Sequence, residues 1–171
     1  MSSLEWGSVA DWVSGLGSFA AVVVALYLSR ESMRIRLKGY AGLRVIVGPD
    51  HPRKDVMAFS VTNVGSRTTV ITNIGMSVGI VKKRIAIITL GQDMYSSPMP
   101  YQIADGEEAH WNIPLGENNS WLNELTNDFI FSRFDVLTLK FIISTSNGGH
   151  INIKPEKPFQ RALLNVLKAS G

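Results

Sequence analysis

The chain has 171 residues, a formal net charge of +3, 45% hydrophobic side chains and 18% charged ones. That charged share is below the roughly 25% usual for soluble domains, and the length suits about one ordinary domain with a small appendage. There is no cysteine, which excludes a disulfide scaffold, thiolate-bound zinc, an iron–sulfur cluster and a cysteine nucleophile.

The charge is unevenly distributed. Residues 1–29 carry only Glu5 and Asp11, whereas residues 30–38 hold Arg30, Arg34, Arg36 and Lys38 against Glu31. The remainder is close to neutral and has no stripe of interleaved basic and aromatic residues, so nucleic acid is not an expected partner.

Between these two regions, Trp12–Leu28 reads WVSGLGSFAAVVVALYL, 17 residues without a charge. With Val9 and Ala10 the apolar run approaches the length that spans a bilayer core. Trp12 and Tyr27 stand near its ends, where aromatic residues favour the membrane interface. A cleaved signal peptide wants a basic start, and no Lys or Arg precedes the run. The sequence therefore predicts an uncleaved single-pass helix in residues 1–38. The basic cluster that follows it predicts an outside N-terminus, a cytoplasmic body, and contact of Arg30, Arg34, Arg36 and Lys38 with inner-membrane lipid headgroups. Gly17, Ala21 and Ala25 repeat at a spacing of four, the small-residue pattern that pairs helices in lipid, so homo-oligomerisation is a further expectation.

After Gly39 the period shortens to two. Residues 41–48 read as a half-buried strand, 48–55 (GPDHPRKD) as a turn cluster, and Met57, Phe59 and Val61 as a second strand. This strand runs into Thr62-Asn63-Val64-Gly65, which recurs ten residues later as Thr72-Asn73-Ile74-Gly75. The first copy predicts a turn. The second has β-branched residues on both sides and predicts a kink inside a continuing strand.

Lys82, Lys83 and Arg84 form a charged hairpin tip. It is a candidate partner-binding or lipid-headgroup site, with a solvated turn as the plainer reading. A strand follows over 85–90, an extended linker at 96–100, a turn at 104–108 and a strand at 109–115. A short helix is expected after Asn119 or Ser120, because Leu122, Leu125 and Phe129 share one face. Residues 134–145 (FDVLTLKFIIST) predict a strand, turned back at 147–149 into a hairpin. A C-terminal amphipathic helix over 158–171 presents Phe159, Leu163, Val166 and Leu167, with Pro158 at its start.

Seven or eight short strands between 39 and 157 suggest a mainly β body, an immunoglobulin-like antiparallel sandwich with one or two short helices. Another antiparallel fold with a helix on one face is the alternative.

The residues offer little chemistry. His51, His110 and His150 share no metal-ligand spacing, the Asp105-Glu107-Glu108 carboxylates fit a turn, and neither a phosphate-cradling glycine loop nor a nucleophile elbow is present. No enzyme activity, cofactor or metal is expected.

The opening DWVSGLGSFAAVVVALYLSRE, with FSVTNVGSRTTVITNIG and IADGEEAHWNIPL further on, resembles a group of small, poorly characterised bacterial and prophage single-pass membrane proteins. The resemblance spans about two thirds of the chain and carries no catalytic residues, and residues 84–100 are longer than the group's pattern. It implies a membrane-tethered interaction module with a protein partner, encoded by a phage or plasmid and acting in superinfection exclusion or modulation of host defence. A structural subunit of an oligomeric membrane complex is the competing expectation.

Overall fold

The structure is a computed structural model that describes residues 9–32, 34–48, 51–91 and 94–169. The contacts divide the chain between Arg34 and Ile35. The first unit holds one helix, α1 (Val9–Ser32). Every described side chain of α1 up to Arg30 is exposed.

The second unit begins with β1 (Leu37–Gly48) and β2 (His51–Asn63), a long antiparallel hairpin. The turn expected over 48–55 is therefore much shorter: His51–Asp55 already belongs to β2, although the side chains of His51 and Pro52 lie outside the described set. Lys38 likewise sits inside β1, paired in register with Thr62. In β2 the alternation works as period-two pleating requires: Met57, Phe59 and Val61 are fully buried while the intervening Ala58, Ser60 and Thr62 are half-buried. The third strand of this sheet is β6 (Glu108–Pro114), paired antiparallel to β2 with Phe59 opposite Trp111.

The other sheet is built on β3 (Thr69–Val78). On one side β3 pairs with β4 (Arg84–Ile87) and, further along, with β5 (Tyr101–Ile103). On the other side lies β7 (Lys140–Thr145), followed by β8 (His150–Ile153). All pairings in both sheets are antiparallel.

The two TNxG copies separate as their flanks predict. The first ends β2 at Asn63. The second lies within β3, where the register against β7 slips between Ile71 and Asn73. Ile71 and Ile74 are both fully buried although three positions apart. A regular strand would send such residues to opposite faces, so the bulge is what returns Ile74 to the core. Gly75 then lets β4 approach closely, since a Cβ there would stand 2.8 Å from the carbonyl oxygen of Ala86.

Three helices complete the body: α2 (Ser120–Asp128), α3 (Arg133–Thr138) and α4 (Lys157–Ala169). Helix α3 corrects the expectation of a continuous strand over 134–145. A reciprocal cap nucleates it: Ser132 Oγ accepts from Asp135 N at 3.2 Å, and Asp135 Oδ2 accepts from Ser132 N at 3.1 Å. This local bonding outweighs the apparent β alternation and postpones the strand to Lys140.

Helix α4 contacts α2, α3 and β1 and buries Phe159 and Leu163 completely. Phe141 stands where the layers meet, edge-on to Phe59 of the other sheet at 4.8 Å between ring centroids and 5.8 Å from Phe159. Just before α4, Glu156 takes a bidentate hold on Arg44, at 2.7 and 2.8 Å, and this pairing keeps its carboxyl below the ordinary glutamate range.

Candidate functional site: an exposed apolar helix and a basic hairpin tip

Two regions contain the residues singled out in the sequence. The first is α1. Its stretch Asp11–Glu31 is, by length and composition, long and apolar enough to cross a membrane, a test that a signal sequence also passes. Trp12 and Tyr27 are both exposed. A Cβ added at Gly17 would meet nothing within 4 Å, and Ala21 and Ala25 are exposed one and two helical turns further along, so the small-residue stripe is open along its length. Ser18 satisfies its hydroxyl within the helix by donating to Ser14 O at 2.9 Å.

The basic residues after the apolar run divide between the two units. Arg30 lies in the last turn of α1, and Arg34 sits 3.6 Å from Glu31. The carbonyl of Arg36 accepts from Val64 N at 2.8 Å, and Lys38 belongs to β1.

The second region is the β3–β4 hairpin. Val78 pairs with Arg84, and residues 79–83 form the connecting turn. Gly79 holds φ at 90°, which suits glycine. Its N–H donates to Thr138 Oγ1 at 2.9 Å, fastening the turn to α3.

Within the tip, Lys82 and Lys83 are exposed. Arg84 instead folds back onto the body. It reaches Asp135 Oδ2 at 2.9 Å, donates to Phe129 O at 3.1 Å, and lies over the Phe131 ring at 4.9 Å. Arg84 is thus a strut between the hairpin and the start of α3. Sequence reading grouped it with its neighbours because nothing local indicates a partner 51 positions away.

Burial pushes the Asp135 carboxyl up, but the Phe131 N–H, Arg84 and Ser132 together outweigh it and hold the group below the usual aspartate range. The folded state therefore binds this proton less readily than the unfolded chain. The resulting stabilisation is complete above the ordinary aspartate value of about 3.9 and is lost as pH falls through the lower folded value. Asp135→Asn is expected to destabilise the body by about 2 kcal/mol at pH 7 and to flatten the loss of stability below pH 4. Urea unfolding of the detergent-solubilised chain at both pH values, followed by tryptophan fluorescence, measures this. Arg84→Ala should also lower the urea midpoint, whereas Lys82→Ala should leave it in place.

The linker and the turn on either side of β5 have structural duties. Residues 95–97 close the free edge of β6: Ser97 N donates to His110 O at 2.7 Å, Ser96 Oγ accepts from Asn112 N at 2.9 Å, and Asn112 Nδ2 donates to Tyr95 O at 2.8 Å. An edge covered in this way is protected from pairing with other chains. In the turn before β6, Glu107 accepts from Ala104 N at 2.8 Å and from the Tyr101 hydroxyl at 2.6 Å.

His110 stands on β6 and His150 opens β8, strands of different sheets. Among the described residues no group of three His, Asp or Glu side chains is placed to hold a metal ion.

No protein-family model and no curated protein matches the chain. Among solved structures it is similar to a Bordetella pertussis protein described as ApaA, at 12% identity over 71% of this chain and 89% of that one, with a TM-score of 0.31. It is also similar to a late embryogenesis abundant (LEA) protein, at 15% identity over 85% of this chain and 81% of that one, with a TM-score of 0.34. Likenesses this distant carry no argument about fold or function.

Proposed function

We propose that the chain is a non-enzymatic, membrane-tethered protein-interaction module at the bacterial inner membrane, with α1 as a single-pass anchor and the β-rich body on the cytoplasmic side. The observation that supports this reading is α1 itself. Leaving such a long apolar surface in water would be costly, whereas lipid satisfies it. The body supplies a rigid platform whose loops and sheet edges can meet a protein.

The body is read as an immunoglobulin-like sandwich. Support comes from the way the chain passes between sheets, from β2 to β3, back from β5 to β6, and again from β6 to β7. Action in superinfection exclusion or host-defence modulation is the sharper form of the proposal. A plaque assay on expressing cells should show reduced plating for at least one phage, and unchanged plating across a broad panel would count against it.

Alkaline carbonate extraction with intact-mass measurement tests the tether. The account expects the unprocessed chain in the membrane pellet. A soluble body lacking the residues of α1 would identify α1 as a cleaved signal sequence and overturn the reading. Val22→Arg should prevent retention, because an arginine at the centre of a spanning helix costs about 3 kcal/mol.

The second reading is a structural subunit assembled through α1, favoured by the open stripe of Gly17, Ala21 and Ala25. Under it, Gly17→Leu with Ala21→Leu abolishes crosslinked oligomers in membranes. An unchanged crosslinking ladder removes this route.

A further inference from the structure

We propose that the β3–β4 tip and the adjoining face of α3 form a second membrane contact, which seats the body on an anionic lipid surface. The proposal rests on the reading of α1 as an anchor and adds an apolar face of the body to the basic tip that the sequence already offers as a lipid-headgroup site.

Ile80 and Val81, at the crown of the turn, are 67% and 94% exposed. Phe134 and Leu137, one helical turn apart on α3, are also exposed. The Gly79–Thr138 hydrogen bond holds the turn against this helix. Ile80, Val81 and Phe134 line an open groove of about 520 Å³. Three large apolar side chains thus line one open groove between a short turn and a short helix, with Leu137 exposed one helical turn beyond Phe134, an arrangement that calls for an occupant.

Charge identifies that occupant. Lys82, Lys83 and Arg133 flank the apolar residues and are exposed. The carboxylate lining the groove, Asp135, is already bound by Arg84. Apolar side chains at the crown with lysine and arginine around them match the boundary between acyl chains and anionic headgroups. A protein partner would have to supply a matching apolar surface with an acidic rim, whereas an anionic bilayer offers both parts at once.

The absence of native cysteine allows unambiguous labelling. Full-length chain carrying an environment-sensitive fluorophore on Val22→Cys, Val81→Cys or Asn165→Cys is reconstituted in vesicles of phosphatidylcholine alone or with phosphatidylglycerol. Nitroxide groups on the lipid tails act as quenchers. The label in α1 should be quenched in both vesicle types. The label at position 81 should shift to the blue and be quenched several-fold more than the one at 165 on α4. This difference should depend on phosphatidylglycerol and fall with Lys82→Glu plus Lys83→Glu or with added salt. Quenching at position 81 no greater than at 165, with α1 quenched, overturns the second contact and leaves the anchor standing. A blue shift at 81 without quenching assigns the face to protein and also overturns it. A label in α1 that escapes quenching defeats the anchor and the proposal that rests on it.

Discussion

Phe141→Ala is expected to lower the unfolding free energy of the body by about 3–5 kcal/mol, a large part of what a domain of this size possesses. Phe141 is fully buried between Phe59 of the opposite sheet and Phe159 of α4. Removing its ring leaves a cavity where three elements meet, and β strands pinned by their ladders cannot close in to fill it. Phe141→Leu retains most of the volume and should cost less than half as much. Urea titration of the full chain in detergent, followed by tryptophan fluorescence, gives both values. A loss below about 1 kcal/mol for the alanine variant would mean that the sheets do not pack through this ring.

Asn63→Ala should be the next most damaging, at about 3 kcal/mol. Asn63 is fully buried. Its Nδ2 donates to Arg67 O at 2.9 Å and to Ile103 O at 3.2 Å, and its Oδ1 accepts from Gly65 N at 3.0 Å. Its own backbone bonds Glu107 O and Gly106 N. The side chain therefore joins the turn after β2 to the end of β5, while the backbone of the same residue holds the turn before β6. Alanine strands two carbonyls and an N–H, while Asn63→Asp also faces a carboxylate toward two carbonyl oxygens and should be at least as harmful. Asn73, the corresponding residue of the second copy, is half-buried at the bulge of β3, and Asn73→Ala should stay within about 1 kcal/mol. Equal effects at the two positions would contradict the different roles assigned to the two copies.

These two asparagines also show what could be read in advance. Local chemistry distinguished a turn at Asn63 from a kink at Asn73, because β-branched flanks surround only the second. The hub role of Asn63 was hidden, since Ile103 and Glu107 reach it only through the folded pairing of β3 with β5 and of β2 with β6. Helix α3 was legible in principle: Ser132-Arg133-Phe134-Asp135 is a capping-box spacing before an apolar run, and the alternation of Phe134, Val136 and Thr138 concealed it. The apolar face was not legible. Ile80 and Val81 look like strand residues, and only the turn at Gly79 and the helix at Phe134 bring these three side chains to one open groove. The role of Arg84 was equally distant, because Asp135 lies on a separate element.

The account stands on α1 crossing the inner membrane once with the body inside. Fusing a reporter active only in the cytoplasm and one active only in the periplasm after residue 171, in separate strains, tests this most directly. Activity from the cytoplasmic reporter alone is the predicted result. Activity from the periplasmic reporter alone would place the body on the opposite side and contradict the assignment of its partners to the cytoplasmic face.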